Sequence, residues 1–277
     1  MSEAMRQPDL DELEIKLLLE AIYQRFHYDF RNYAQASLRR RLTQALVRFE
    51  CASVSHLQAR LLHEPALFTQ LLQLLTVQVS DLFRDPDFFR TLRERIVPEL
   101  RTYPSPKVWV AGCAAGEEVF SLAILLREEG LLDRALIYAT DISPEALRKA
   151  EAGVYALDRV SAFTENHRLS GGACSLSDYY TAAYGSAVLD RSLLKRVVFS
   201  DHSLATDHVF AEVQLLLCRN VLIYFDRSLQ ERALGLFKDA LCRRGFLGLG
   251  SKESLSFSSH AAAFQRLGPN EYWYQKW

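Results

Sequence analysis

The stretch of sequence that decides the fold is Val108-Trp109-Val110-Ala111-Gly112-Cys113-Ala114-Ala115-Gly116-Glu117-Glu118. It begins as an apolar run typical of a buried strand, predicted over 108–113, and passes into two glycines separated by small residues. A helical pattern follows and is predicted over 117–128. Small residues between a strand and a helix let a ligand approach the backbone, where the helix N-terminus offers free N–H groups. The stretch therefore predicts a ligand-binding turn at the edge of an α/β sheet.

Downstream of this turn, short apolar strands alternate with helical segments. Further strands are predicted over 135–140, 197–200, 213–218 and 246–249. One helix is predicted to begin at Ser143 with Pro144 in its first position, and another covers 228–241. Such alternation predicts a parallel sheet with helices on both faces.

The chain divides into regions of different pattern. Apolar residues recur at helical spacing and no strand signal precedes Lys107, which predicts an all-helical N-terminal domain over 1–84 and an α/β domain over 85–277. The segment 155–196 is too long for an ordinary connection, so an inserted subdomain with a small antiparallel sheet is predicted there. Near the end, Gly268-Pro269-Asn270 fits a hairpin turn between two short strands.

Two helix starts carry capping signals. Ser37 stands immediately before an apolar pattern of helical spacing and is predicted to cap the helix that follows. Asp85 followed by Pro86 predicts a capping residue and a proline in the first helical position.

The bulk composition excludes several classes of function. The net charge of −1 gives no electrostatic case for a nucleic-acid partner. Five widely spaced cysteines without a C-x-x-C pair predict neither a metal site nor a disulfide framework. The polar start, residues 1–9, predicts no secretory signal, and no apolar run is long enough to span a bilayer. We therefore expect a cytoplasmic protein without direct membrane insertion.

The residues after the glycine loop indicate the charge of its ligand. Glu117 and Glu118 would repel a pyrophosphate and favour a cation, such as the ammonium and sulfonium of S-adenosylmethionine. Asp141 ends the next predicted strand, where an acid accepts hydrogen bonds from ribose hydroxyls in doubly wound folds. The alternatives are a tight turn followed by helix-capping acids, and an aspartate that only caps the helix at Ser143.

Two arginines near predicted strand or helix ends are further candidates. Arg219-Asn220 follows a buried strand, at the edge where ligands of α/β sheets bind. Arg84 lies between the helical region and the sheet region. The alternative interpretations are a solvated strand end for Arg219 and a structural ion pair for Arg84.

Four sequence elements resemble, in order, those of the CheR-type chemotaxis methyltransferases, over about residues 13–257. The matching stretches are Ser80-Asp81-Leu82-Phe83-Arg84-Asp85, Gly112-Cys113-Ala114-Ala115-Gly116-Glu117-Glu118, Ala139-Thr140-Asp141-Ile142 with Gly153-Val154-Tyr155, and Cys218-Arg219-Asn220-Val221-Leu222-Ile223-Tyr224-Phe225. The late stretch Gly250-Ser251-Lys252-Glu253-Ser254-Leu255 resembles a fifth family motif. The chain is identified on these residues as a member of that family.

The resemblance implies a fold, a reaction and a set of residues. The implied fold is a Rossmann-like methyltransferase sheet with a small inserted β-subdomain, preceded by an all-helical domain. The implied reaction moves a methyl group from S-adenosylmethionine, leaving S-adenosylhomocysteine, to glutamate side chains of the cytoplasmic domain of a chemoreceptor or a related signalling protein, without a metal. The implied cofactor-binding residues are Gln78, Ser80, Arg84, Ala111, Gly112, Gly116, Glu117 (ammonium), Asp141 (ribose), Ser203, Leu204, Arg219 and Asn220. The implied catalytic residues are Arg84 and Tyr224.

Some positions depart from the family pattern. The family's loop threonine is Ala115 here, its loop tyrosine is Phe120, and a frequent asparagine is Ser203. Two alternative functions therefore stay open. One is a methyltransferase acting on a small carboxylic acid, and the other is a regulatory protein that binds the cofactor with weak or no activity.

The N-terminal region carries a local excess of positive charge. Residues 25–48 contain six arginines and one acid, Asp29, a local charge of +5 in a chain whose total is −1. Such a run is often only a solvated face, but the family resemblance favours a basic helix that attracts an acidic substrate protein. The residues assigned to this recognition are Arg39, Arg40, Arg41 and Arg48. We expect the chain to be a monomer.

Overall fold

The computed structural model describes residues 10–269 and 271–277, which fall into two compact units. The first unit comprises the described part of Met1–Val77 together with Tyr224–Gln230, and the second comprises Gln78–Ile223 and Glu231–Trp277. The predicted boundary at residue 84 stays a prediction. Among the described residues, no helix is long and apolar enough to cross a membrane. The expectation for the first nine residues lies outside the described residues.

The first unit is helical, as predicted. Its helices are α1 (Leu10–Phe26), α2 (Gln35–Arg48), α3 (Val54–His63) and α4 (Ala66–Leu75). Each presents a buried apolar stripe, and the most deeply buried members include Leu18, Ile22, Leu38, Leu42, Leu57, Leu61, Leu71 and Leu75. Burial of these stripes against one another stabilises the helices more than their intrinsic propensities do.

The predicted cap at Ser37 is wrong. Helix α2 begins at Gln35, and its capping position is Ala34, three residues before Ser37. Ala34 makes no side-chain capping bond. The N–H of Ala34 instead donates to the carbonyl oxygen of Tyr224 at 2.8 Å. An adjacent bond from Asp226 N–H to Asn32 O, at 2.9 Å, fastens the same distant segment to the start of the helix. A backbone partner from far along the chain thus sets the helix start, which local sequence cannot reveal.

The second unit contains the predicted sheet. Its strands are β1 (Lys107–Ala111), β2 (Leu136–Asp141), β6 (Val197–Asp201), β7 (Val213–Cys218), β8 (Leu241–Leu249), β9 (Phe264–Arg266) and β10 (Trp273–Lys276). They lie in the order β6-β2-β1-β7-β8-β10-β9, and the first five pair in parallel. The associated helices are α5 (Pro86–Thr91), α6 (Val97–Leu100), α7 (Glu117–Glu128), α8 (Pro144–Ala152), α9 (Val160–Leu169) and α10 (Arg227–Ala240). The α/β prediction is confirmed.

Two smaller features also agree with the sequence. A three-stranded antiparallel sheet, in the order β3-β5-β4, is formed by β3 (Val154–Ala156), β4 (Tyr180–Ala183) and β5 (Ser186–Leu189). It is the small sheet predicted for the insertion, whose bounds at 155 and 196 stay predictions. Strands β9 and β10 pair antiparallel around the predicted turn, of which Asn270 lies outside the described residues.

A buried ionic cluster holds α7 in place against its neighbours. The carboxylate of Glu128, fully buried, accepts from Arg93 at 2.7 Å and lies 3.0 Å from the imidazole Nε2 of His167. Arg93 belongs to a π-helical turn (Leu92–Ile96) between α5 and α6, and His167 belongs to α9. Burial alone would raise the pKa of Glu128, but hydrogen bonds from His167 and Arg93 lower it to about 2.

Replacing Glu128 with glutamine is expected to lower the free energy of unfolding at neutral pH by about 3 kcal/mol. A carboxyl whose folded pKa is depressed stabilises the fold above its ordinary pKa of 4.5. That contribution is lost as the pH falls towards 2. Urea unfolding at neutral and acidic pH measures both effects. Glu165→Gln is the control, because Glu165 is an exposed partner of Arg168, and a matching loss there would contradict the cluster's role.

Candidate active site

The glycine loop lies where the order of the sheet reverses. Strand β1 has β2 on one side and β7 on the other, and ligands of open α/β sheets bind at this switch point. After the strand, Gly112 N–H and Cys113 N–H both donate to Thr140 O, at 2.8 and 2.9 Å. Ala114 N–H donates to the Asp141 carboxylate at 2.9 Å. The structure therefore brings the predicted loop and the predicted ribose-binding acid together.

Both loop glycines are required by the backbone. Gly112 and Gly116 have φ angles of 71° and 91°, in the region that favours glycine. A Cβ on Gly112 would lie 2.6 Å from a methyl of Val221, and one on Gly116 would lie 2.8 Å from Ala150. The close approach at both positions is thus to this chain's own atoms, and their contact with a cofactor stays a prediction.

Glu117, the first acid of α7, is buried, and its two carboxylate oxygens differ in their hydrogen bonding. One carboxylate oxygen accepts from Nη1 of Arg159 at 3.2 Å. The other, Oε2, has no hydrogen-bond partner among residues 10–269 and 271–277 and is shielded from solvent. Burial raises the pKa of Glu117 despite the neighbouring arginine. A buried carboxylate oxygen of this kind favours a cationic donor that is separate from the chain.

The second acid, Glu118, is paired differently from its neighbour. Its carboxylate accepts from Nη1 of Arg219 at 2.8 Å. The other terminal nitrogen of Arg219 donates to the Asp85 carboxylate at 2.7 Å and to Arg84 O at 2.9 Å. The guanidinium also stacks 4.0 Å over the ring of Phe88. Glu118 is therefore bound to a cation of this chain, Arg219, whereas Oε2 of Glu117 is a buried oxygen without a hydrogen-bond partner among the described residues. The prediction that both acids favour a cationic ligand stays a prediction.

Asp85 stands where the sequence predicted a helix cap. It occupies the position before α5, and Pro86 follows in the first turn. Its carboxylate, however, makes no capping bond and binds Arg219 instead. The Asp85 side chain therefore binds Arg219 instead of capping the helix, as local sequence rules predict for it.

The segment before α5 is fastened to the first turn of α7 at three points. Arg159 binds Ser80 O and Glu117, and Arg219 binds Arg84 O and Glu118. Between them, Phe83 N–H donates to the hydroxyl of Ser121, on α7, at 2.8 Å. Backbone strain accompanies this attachment, because Phe83 and Asp85 have φ angles of 53° and 58°.

Arg84 lies within this attached segment, and its side chain binds none of the described residues. Among residues 10–269 and 271–277, its guanidinium makes no ion pair and no hydrogen bond. Burial raises the pKa of Glu118, and Arg84 lies near enough to that carboxyl to oppose the rise. The alternative of a structural ion pair for Arg84 is therefore not supported. Free donors on a rigidly held backbone suit a group that binds a ligand.

Glu253 supports the loop that follows β7, although no sequence pattern assigns it a role. It is buried, and its carboxylate accepts from the N–H groups of Gly250, Asn220 and Ile223, at 2.7, 2.9 and 3.3 Å. Asn220 needs this support, because its φ of 60° is uncommon outside glycine. The motif that contains Glu253 resembles a late motif of the family, but the sequence does not indicate which backbone N–H groups its carboxylate binds.

The remaining predicted cofactor residues lie at the same edge of the sheet. The side chain of Gln78 donates to Ser143, the cap of α8, at 3.1 Å. Ser203 N–H donates to the Asp207 carboxylate at 2.9 Å. The other two are buried, namely Ala111 at the end of β1 and Leu204 after β6. Their contact with a cofactor stays a prediction.

Tyr224 belongs to the first unit, where Arg41 contacts it. The Arg41 guanidinium lies 4.7 Å from the centre of the Tyr224 ring, and Nη1 donates to Leu75 O. Arg41 is only 4% exposed. The assignment of Arg41 to surface recognition is therefore corrected, because this side chain packs inside the unit.

The other arginines of the predicted recognition helix are available. Arg39, Arg40 and Arg48 are exposed. Arg31 is bound to Asp29 and Glu20, at 2.9 and 3.1 Å. The basic surface of α2 is therefore smaller than the sequence count suggests, and we define it as Arg39, Arg40 and Arg48.

Comparison with known proteins gives matches over both units. Residues 78–272 match the family described as CheR methyltransferase, SAM binding domain, and residues 13–76 match CheR methyltransferase, all-alpha domain. "Putative methyltransferase Cher3" of Pseudomonas putida is 58% identical over 256 residues, 92% of this chain and 94% of that protein. The chemotaxis protein methyltransferases of Listeria innocua and Vibrio parahaemolyticus are 28% and 29% identical, over 82% and 85% of this chain and 84% and 86% of theirs.

Proposed function

The chain belongs to the CheR methyltransferase family, and we propose that it methylates glutamate side chains of a chemoreceptor's cytoplasmic domain, forming methyl esters. The proposal places it in the cytoplasm, with S-adenosylmethionine as methyl donor. The observation that carries the cofactor assignment is the buried Glu117 carboxylate beside the glycine loop, one oxygen of which lacks a hydrogen-bond partner within the described part of the chain. The ammonium of the cofactor's methionine moiety would satisfy that oxygen.

The residues at the sheet edge fit the rest of this cofactor. The Asp141 carboxylate accepts one backbone N–H on each oxygen, from Ser143 and Ala114. Each oxygen keeps a further lone pair, so the carboxylate can also accept from ribose hydroxyls. Burial raises the pKa of Asp141, while its backbone hydrogen bonds oppose that rise.

The chemistry requires positioning more than proton transfer. When bound, S-adenosylmethionine supplies a methyl group attached to a positively charged sulfur. A glutamate carboxylate is ionised at neutral pH, so its attack needs no general base. In the proposed division of roles, Arg84 orients the carboxylate through paired N–H donors, and Tyr224 shapes the site or donates a hydrogen bond. Exclusion of water strengthens these interactions.

Radiolabelled methyl transfer tests the proposal directly. The purified chain is incubated with labelled S-adenosylmethionine and chemoreceptor cytoplasmic domains from the same organism. Base-labile label on the receptor is the expected result, since methyl esters hydrolyse in base. Transfer only to small carboxylic acids, or cofactor binding without transfer to any acid, would support one of the two alternatives instead.

The exposed arginines of α2 form the proposed contact with the receptor. Arg40→Glu is expected to raise the KM for the receptor domain about fivefold at low salt and to weaken the salt dependence. Arg243→Glu is the matched control, because Arg243 is an exposed arginine in β8. Steady-state kinetics across ionic strength measures both variants, and equal effects would contradict a specific role for α2.

A further inference from the structure

Arg159 stands at the start of α9, in a region to which the sequence assigned no chemistry. Its Nη1 donates to the Glu117 carboxylate at 3.2 Å. Its Nη2 donates to Ser80 O and to the Asp81 carboxylate, the latter at 3.0 Å. The guanidinium also lies 4.7 Å over the ring of Phe163. These contacts fix the plane of the guanidinium beside the glycine loop.

The contacts leave part of the guanidinium unused. Arginine carries five N–H donors, and the hydrogen bonds to Glu117, Ser80 and Asp81 occupy three of them. Its side chain is 30% exposed, and none of its nitrogens is buried without a partner. The remaining donors are therefore open to solvent or to a ligand.

Glu117 offers a hydrogen-bond acceptor, and Arg159 beside it offers hydrogen-bond donors, to a ligand that carries both kinds of group. The Glu117 side contributes a buried acceptor without a donor, Oε2. Arg159 contributes N–H donors that have no acceptor among the described residues, on the guanidinium whose Nη1 lies 3.2 Å from Oε1 of the same Glu117 carboxylate. An α-amino acid carries an ammonium and a carboxylate on one carbon, so a single ligand of that class would satisfy both groups.

We propose that Arg159 binds the carboxylate of the methionine moiety of S-adenosylmethionine while Glu117 binds its ammonium. This inference rests on the proposed cofactor site and names a ligand-binding residue within it. A charge argument supports the pairing. Arg159, Glu117 and the half-exposed Asp81 carry a net charge of −1 together, and the methionine moiety with its sulfonium adds +1.

The competing role for Arg159 is structural. In that case it only holds Glu117 and the Ser80–Asp81 backbone in position, and has no contact with the ligand. The two roles differ in one respect that can be measured. A residue that binds the carboxylate matters more for ligands that have one, whereas a residue that only positions Glu117 matters equally for ligands that lack it.

Calorimetric titration of two non-reactive ligands separates these roles. The ligands are S-adenosylhomocysteine and its decarboxylated analogue, which keeps the amine. Arg159→Met is expected to weaken binding of S-adenosylhomocysteine about 10-fold more than binding of the analogue. A smaller loss common to both ligands follows from the lost bond to Glu117. An equal loss for both ligands would overturn the inference and leave the cofactor site standing.

Control variants keep the test independent of folding. Arg168→Met removes an exposed arginine of the same helix, which pairs with Glu165, and is expected to bind both ligands as the unmodified chain does. Arg159→Lys keeps the charge and is expected to retain part of the preference for the carboxylate-bearing ligand. Failure of the unmodified chain to bind S-adenosylhomocysteine would overturn the proposed cofactor site, and this inference with it.

Discussion

Replacing Arg84 with alanine is expected to reduce methyl transfer about 10³-fold while changing the affinity for S-adenosylhomocysteine far less. The physical reason is orientation, because the uncommitted guanidinium can hold a carboxylate through two parallel hydrogen bonds. Single-turnover transfer to the receptor domain and calorimetry with S-adenosylhomocysteine measure the two effects separately.

The structure explains why Arg84 can act in this way. Its backbone is fixed by Arg219 on its carbonyl and by the Phe83 N–H bond to Ser121. A fixed backbone reduces the entropy lost when the side chain orders around a substrate. Arg84→Lys should recover little activity, since an ammonium lacks the paired donors. If Arg84→Ala instead abolished S-adenosylhomocysteine binding, Arg84 would be assigned to the cofactor alone.

The regular elements around the site were predictable because each follows from a local pattern. Helix α7 begins and ends where the sequence indicated, at Glu117 and Glu128. Strand β7 likewise matches its apolar run, Val213–Cys218. Periodicity and small-residue loops act over a few residues, so a single sequence contains them in full.

The partners of the charged residues were not predictable in this way. Glu117 and Glu118 were recognised as a pair of acids, but they bind arginines that lie 42 and 101 residues away. Those contacts depend on how the sheet and its connecting segments pack in three dimensions, not on local spacing in the sequence. The sequence therefore identified the acids but not the arginines that bind them.

The burial of Arg41 follows from the helical spacing of its neighbours in the sequence. It lies three residues after Leu38, next to Leu42, and four residues before Ala45, so it shares their face of α2. Counting charges along the segment treated all its arginines alike. The helical period places Arg41 on the buried face and Arg39 and Arg40 away from it, as the structure shows. Arg48 lies seven residues after Arg41, on the same face by this period, and is exposed as the last residue of α2.

Replacing Glu117 with glutamine is expected to weaken S-adenosylhomocysteine binding by about 10- to 100-fold and to stabilise the unliganded protein. The affinity loss follows from removal of a charge-assisted hydrogen bond to the ligand's ammonium. The stability gain follows from the raised pKa of Glu117, whose main cause is burial. A carboxyl with a raised folded pKa destabilises the fold at pH values above its ordinary pKa, and glutamine removes that cost.

The pH dependence of binding provides the sharper test of this assignment. The ligand's ammonium favours the ionised carboxylate, so binding to the unmodified chain should weaken as the pH falls through the raised pKa of unliganded Glu117. Calorimetry over that range should show this dependence in the unmodified chain and a flatter profile in Glu117→Gln. Glu145→Gln is the control, because Glu145 is a first-turn acid of α8 that pairs with Arg148. An unchanged pH profile in Glu117→Gln would show that another group binds the ammonium.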